Sequence, residues 1–301
     1  MLLVTGITGH TGRYFLQELK DNKYEGPIRC IVRKTSDTSL LDSSGLNIEK
    51  VVGNLEDREF IEEAMVGIDT VMHIYNIHNS PIIVQAAIKN SVNRAILVHT
   101  TGIYSKFKIA SFEYKEIERK ILDFAKDNAC KISIIILRPT MIYGDLCDHN
   151  ISKFIKMVDK LPIIPVIDKG NSLIQPVNAR DLGKAYYTVL MLSGKNTELL
   201  AYNLSGDKPI KMLEVLKLIS RELNKKVILV NVPMKIGIAI AMIIKILTFG
   251  KVDIIEKVQR MGENRSYSHE KATNDFGYSP MSFEDSIKIE VKQYKVNQGK
   301  V

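Results

Sequence analysis

Leu2-Leu3-Val4-Thr5-Gly6-Ile7-Thr8-Gly9-His10-Thr11-Gly12 opens the chain and decides how the rest is read. Residues 2–5 form a short apolar run of the kind that makes a buried strand. Tyr14, Phe15 and Leu19 then recur at helical spacing. Between the two stand three glycines in the order G-x-x-G-x-x-G, not G-x-G-x-x-G. Glycine lets a backbone turn tightly, approach a pyrophosphate and pack a helix closely on a strand. The N-terminus of the helix that follows offers N–H groups and partial positive charge to phosphates. A glycine-rich turn without a ligand uses the same letters. The strand before it and the helix after it favour a dinucleotide site at Gly6, Thr8, Gly9, His10, Thr11 and Gly12.

Outward from this loop the first half alternates. Strand-like runs at 28–32, 50–53, 70–74, 96–100 and 132–137 are separated by helical patterns, among them 82–88 and a polar helix over 111–127. Runs apolar on both faces suit a parallel sheet covered by helices, so the expected fold is α/β, a doubly wound parallel sheet of the Rossmann type. Beyond Arg138-Pro139 the rhythm breaks into helices at 152–160, 181–191, 212–223 and 236–247, with short strands such as 227–230 between them. The expected division is a cofactor-binding domain over 1–150 and a smaller C-terminal α/β substrate lobe over 151–301, interleaved with the first.

Charge follows the same boundary. The 301 residues carry a formal net charge of +8, but residues 1–150 hold 18 basic and 19 acidic side chains, and residues 151–301 hold 24 and 15. The basic half implies an anionic partner. Its cations are dispersed without interleaved aromatics, which argues against nucleic acid. Cys30, Cys130 and Cys147 form neither a disulfide framework nor a zinc pattern, and the six histidines lack ligand spacing, so no metal is expected. A strand-like run beginning at Met1 leaves no room for a signal peptide, and the longest apolar run, 236–244, is too short to span a bilayer. A reducing, cytoplasmic setting is expected. Lys235, Lys245 and Lys251 flank the apolar 236–247 helix, which suits a membrane surface, but packing against the lobe is the preferred reading.

At the end of the second strand an NAD site offers Asp or Glu to the ribose hydroxyls. Here Arg33 and Lys34 stand instead and would welcome a 2′-phosphate, so NADP(H) is favoured over NAD(H).

Five further segments carry a resemblance. They are Gly53-Asn54-Leu55-Glu56-Asp57, His99-Thr100-Thr101-Gly102-Ile103-Tyr104, Leu137-Arg138-Pro139-Thr140-Met141-Ile142-Tyr143-Gly144, Gln175 to Asp181, and Lys271-Ala272 through Phe276-Gly277-Tyr278-Ser279-Pro280. With the glycine loop, and in this order, they resemble the extended short-chain dehydrogenase/reductases, the NAD(P)-dependent epimerases, dehydratases and reductases of nucleotide-linked sugars. The loop itself is similar to the atypical, NmrA-like branch. The resemblance implies that Asn54 and Leu55 border the adenine, that Thr100 is the catalytic hydroxyl, and that Lys115 fixes the ribose. It also implies that Arg260 or Arg265, with Arg180 as another possibility, faces a substrate diphosphate, and that a homodimer forms through the helix carrying Lys115.

One departure matters. The family pairs Tyr and Lys as Y-x-x-x-K, one helical turn apart, so that lysine eases loss of the phenol proton. Aligned on Lys115, the tyrosine position is Ser111; Tyr114 is adjacent to Lys115 and points elsewhere. Tyr104/Lys108 and Tyr267/Lys271 match literally, but 12 tyrosines and 31 lysines yield about one such pair by chance. Tyr104, Tyr114, Tyr143, Thr100 or a water remain as proton donors. The leading expectation is an NADP(H)-dependent oxidoreductase or epimerase of a nucleotide-linked sugar. A non-catalytic NADP(H) sensor and a reductase of another, lipid-like carbonyl are the alternatives.

Overall fold

The computed structural model describes residues 1–127, 132–192 and 199–299, and omits the side chains of residues 108–110 and 127. Cys130 and the Lys108 side chain therefore lie outside the described residues. Six strands arise in the first 139 residues: β1 (Leu2–Thr5), β2 (Ile28–Val32), β3 (Ile48–Val52), β4 (Thr70–His73), β5 (Arg94–Val98) and β6 (Ser133–Pro139). All pair in parallel, and a seventh strand, Leu199–Leu204, adds to β6. The order across the sheet is Leu199–Leu204, β6, β5, β4, β1, β2, β3. This is the doubly wound arrangement the alternation predicts. Its crevice opens where chain order reverses, between β1 and β4, outside the carboxyl ends of the strands.

Local chemistry explains these elements. β1 is buried at every position, as a central parallel strand requires. Helix α1 (His10–Asp21) buries Thr11, Gly12, Phe15, Leu16 and Leu19 on one stripe. The polar helix begins at Lys108, three residues before the expected 111. The strand Leu199–Leu204 is not legible as a buried run, because as an edge strand it is only partly covered.

The chain divides into two compact units, and the division is not a single break near residue 150. The first unit comprises Met1–Pro139, Ala179–Leu204 and Ser268–Ser279; the second comprises Thr140–Asn178, Ser205–Tyr267 and Pro280–Val301. The second has its own core, built from Ile151, Ile155 and Val158, from Val215, Leu216 and Ile219, and from Ile287, Val291 and Tyr294. Tyr143 joins that core and bonds Ser286, so it is removed from the candidate proton donors. Helix Met234–Leu247 packs on the second unit through one side: Gly237 and Ala241 are buried, Met234, Ile238 and Ile244 are half-buried, and its other large apolar side chains are exposed.

The second unit also buries two carboxyls. Asp148 Oδ1 accepts the Asn150 and Ser152 amides at 2.6 and 3.1 Å. Asp148 Oδ2 and Glu290 Oε2 are buried with no hydrogen-bond donor, a conflict that one shared proton relieves. Burial, and then the Asp148 charge, push the Glu290 carboxyl up to about 8. The folded chain thus keeps a proton that an unfolded glutamate releases near 4.5. The stabilisation is complete below that value and lost as pH rises through about 8, at up to about 1.4 kcal/mol per pH unit. Urea unfolding at pH 6 and pH 9 is expected to show the loss, and Glu290→Gln to flatten it; a wild-type stability that does not fall over this range would contradict the shared proton.

Candidate cofactor and active site

The crevice beside β1 is built by the opening loop. Gly6 has φ +76°, and a Cβ there would stand 2.8 Å from the Tyr75 amide nitrogen and Cβ. Only glycine lets the loop after β1 lie this close to the segment after β4. Gly9 is the N-cap of α1 and supplies no side-chain hydrogen bond, so the helix end presents its N–H groups and dipole to an anion. Beneath the loop, Thr5 Oγ1 donates to His73 Nδ1 at 2.7 Å, and His73 Nε2 donates to the Asn76 carbonyl at 3.2 Å. Burial lowers the His73 pKa to about 3, so this support is a neutral imidazole.

The cleft encloses about 180 Å³ and is lined by Gly6, Thr8, Gly9, Ile31, Val32, Arg33, Ser36, Gly53, Asn54, Leu55, Glu56, Tyr75 and Asn79. Gly6, Thr8, Gly9, Arg33, Asn54 and Leu55 come together there. Thr11 and Gly12 do not line it. Thr11 is buried in the first turn of α1, and Gly12 is the packing glycine under the loop. His10 opens α1 half-buried and Lys34 is exposed; neither lines the cleft. Sequence reading missed Ser36, Tyr75 and Asn79. A turn after β2 brings Ser36 to Arg33, whose amide donates to Ser36 Oγ at 3.1 Å. Arg33 itself reaches over the Tyr75 ring, 5.9 Å from its centroid. Asn54 Oδ1 accepts the Glu56 amide and Asn79 Nδ2 donates to the Leu55 carbonyl, which fixes the far wall.

A second constellation lies beyond the carboxyl ends of β5 and β6. Thr100 is half-buried and its Oγ1 accepts the Gly102 amide at 3.0 Å, leaving the hydroxyl proton to donate. Ser111 is buried and turned away, its hydroxyl donating to the Phe107 carbonyl. Lys115 is exposed. Tyr114 lies against the Gly102 backbone and the His78 ring.

The phenol that does meet a cation is Tyr104. Its oxygen accepts from Arg138 Nη1 at 2.9 Å, and its proton is donated to Asn203 Oδ1 at 3.2 Å. Arg138 is held by two bonds to Glu118. Glu118 also accepts from His99 Nδ1, and His99 Nε2 accepts from Ser80 Oγ. Burial opposes the Glu118 charge, but the His99 and Arg138 bonds outweigh it and hold the carboxyl below its ordinary value. Burial keeps His99 below its own despite Glu118. A neutral histidine, a carboxylate and a guanidinium thus stand in series behind Tyr104.

In the second unit Arg260 and Arg265 are partly buried, and the Nε of each is buried without an acceptor. Burial, and then repulsion from Arg260, lower the pKa of Arg265. Two like charges with unmet donors are what an anion site needs. Among the described residues no group of three or more His, Cys, Asp or Glu could hold a metal, and no helix is long and apolar enough to cross a membrane.

Comparison with known proteins agrees with the cleft. A family model described as NAD(P)H-binding matches residues 6–143. A stretch of 71 residues, 24% of this chain, is 37% identical to sterol demethylase protein B of Methylococcus capsulatus; it spans 20% of that relative's length. Solved structures match over nearly the whole chain at 14–20% identity, with TM-scores from 0.70 to 0.78. One is the dTDP-glucose 4,6-dehydratase of Streptomyces venezuelae with NAD bound, at 18% identity and a TM-score of 0.74, covering 99% of this chain and 98% of that one. Another is the triphenylmethane reductase of Citrobacter sp. with NADP(H), at 20% and 0.70, covering 96% and 99%. Residues 6–143 thus match the NAD(P)H-binding family model, and the chain as a whole has the Rossmann-like fold of these dehydratase and reductase structures.

Proposed function

We propose that the chain is an NADP(H)-dependent oxidoreductase or epimerase of a small molecule that carries a phosphate or diphosphate, as a nucleotide-linked sugar does. The observation that carries the substrate class is the Arg260–Arg265 pair, two cations with buried Nε–H groups and no acceptor. The fit to a dinucleotide rests on the Gly6 approach to Tyr75 and the uncapped end of α1. The preference for the 2′-phosphate rests on Arg33 and Ser36 at one wall of the cleft, with no acid at the end of β2.

When bound, the nicotinamide supplies hydride exchange with a substrate carbon. The chain's own residues handle the oxygen on that carbon. Thr100 donates a hydrogen bond to it, and Tyr104 gives or takes the proton, with the Arg138 guanidinium facing the phenol oxygen where negative charge develops. The arrangement moves the lysine's usual task to an arginine on a neighbouring strand and needs no tyrosine at 111.

The test is to mix purified protein with NADPH or NADH and a panel of nucleotide-linked 4-keto sugars, following nicotinamide absorbance. Tighter binding of NADPH, turnover with one sugar, and a rise in its KM on Arg265→Ala are expected. Tight NADPH binding with no turnover on any sugar would overturn the substrate class. A second reading, reduction of a lipid-like carbonyl, is favoured by the exposed apolar side chains of helix Met234–Leu247 and by the stretch similar to a sterol demethylase protein. Ketosteroids added to the panel decide between the two, and turnover with either class rejects a purely sensing role.

A further inference from the structure

Helix Met234–Leu247 is 14 residues long and nearly all apolar. Its small side holds it to the second unit. Gly237 and Ala241 are buried, and a Cβ at Gly237 would stand 2.8 Å from the Ile167 side chain and 3.1 Å from that of Val258. The large side faces solvent. Ile236, Ile240, Ile243, Ile246 and Leu247 are between 49% and 73% exposed, and Phe249, in the turn that follows, is 92% exposed. Positions 236, 240, 243 and 247 fall on one face of a helix, so this is a continuous apolar stripe and not scattered exposure. A stripe of this kind marks a surface that something covers.

Three observations select the occupant. The helix is about 21 Å long at ~1.5 Å per residue, too short for the roughly 30 Å of a bilayer core, and an apolar segment of this length that is not buried suits the interfacial zone. Lysines border the stripe: Lys235 at its start, Lys245 and Lys251 at its end, and Lys257 beyond. Lys245 pairs with Asp253 at 2.6 Å, whereas Lys235, Lys251 and Lys257 enter no ion pair among the described residues. They are placed to meet phosphate headgroups while their stems lie along the apolar boundary. A second copy of the chain fits less well, since an antiparallel two-fold pairing of this helix would set Lys235 against Lys251 of the other copy.

We infer that this face, with Phe249 at its tip, docks on an anionic lipid bilayer, the helix lying in the plane of the interface without crossing it. The inference stands apart from the proposed reaction and adds a lipid contact on the face that the helix does not use to pack on the second unit.

The test is co-sedimentation of the full chain with phosphatidylcholine vesicles, with and without phosphatidylglycerol. Binding to the anionic vesicles is expected to exceed binding to the neutral ones by roughly tenfold and to weaken with salt. The variant Ile240→Ser/Ile243→Ser/Phe249→Ser is expected to lose at least tenfold in binding, and Lys235→Glu/Lys251→Glu to lose the preference for anionic vesicles. The altered residues are exposed, and retained circular dichroism and NADPH binding verify the fold of each variant. Wild-type protein that stays in the supernatant would overturn the inference, as would a triple variant that sediments like wild type. Light scattering that shows a dimer in the absence of lipid, converted to a monomer by the triple variant, would assign the face to a second copy instead.

Discussion

Tyr104→Phe is expected to lower turnover by about 10²–10⁴ while leaving NADPH affinity unchanged. The phenol is the candidate donor that is both exposed and set against a half-buried cation: Arg138 Nη1 lies 2.9 Å from its oxygen, and Tyr104 is 42% exposed. Phenylalanine keeps the ring and removes the proton. Arg138→Met is expected to lose activity through the same oxygen, so the double variant should be no slower than the worse single one. Because Arg138 also neutralises the buried Glu118, its removal leaves an unpaired charge, and circular dichroism must show the variant folded. Arg138→Lys supplies the second readout: a point charge without the fork should recover part of the rate. Turnover unaffected by Tyr104→Phe would return the role of donor to Thr100 or a water.

Gly12→Ala is expected to cost about 3 kcal/mol or more and to lower cofactor affinity at least ~100-fold. A Cβ at this position would overlap the Gly6 carbonyl oxygen and stand 2.7 Å from the Ile7 Cα and carbonyl oxygen. All three are backbone atoms of the glycine loop, which cannot give way as the end of a flexible side chain would. The loop must open, and the N-terminus of α1 moves with it. Gly9→Ala is the internal comparison. Its Cβ would meet only the Gly6 carbonyl oxygen, at 3.1 Å, and its φ of −78° suits any residue. It should therefore keep the fold and weaken binding modestly. Thermal unfolding and NADPH fluorescence titration measure both, and a folded Gly12→Ala protein with wild-type affinity would show that the loop is not the phosphate site.

The first half of the chain is legible because its signals are local. Apolar runs buried on both faces, spaced by amphipathic helices, give a parallel sheet whatever their exact ends, and Gly6, Gly9 and Gly12 mark a strand-to-helix turn by steric need. Arg33 was found by its place at the end of β2. Ser36 was not, because the turn that carries it back to the cleft is set by the backbone bond from the Ser36 amide to the Arg33 carbonyl and not by a residue pattern. Tyr75 was not, because its partner Gly6 is far away in sequence and meets it only where β1 lies beside β4.

A proton donor that shared a helix with its cation would stand at 111, where this chain has serine. The fold solves the problem differently. Arg138 ends β6, Tyr104 follows β5, and pairing of those two strands brings phenol and guanidinium together across 34 residues. The apolar helix at 234–247 shows the converse limit. A segment with apolar residues on every side has no polar face in its pattern, so periodicity cannot say which side is covered. Burial of Gly237 and Ala241 decides it.

The sequence by itself determined the doubly wound sheet, the glycine turn from β1 into α1 and the cationic end of β2, since each depends on steric and charge requirements within a few residues. Only the tertiary structure decided which phenol faces a cation, which threonine and glycine of the loop are packing residues, and which face of the apolar helix meets solvent. Those depend on strand order and on which surfaces find a partner, and neither is encoded at the spacing of neighbouring residues.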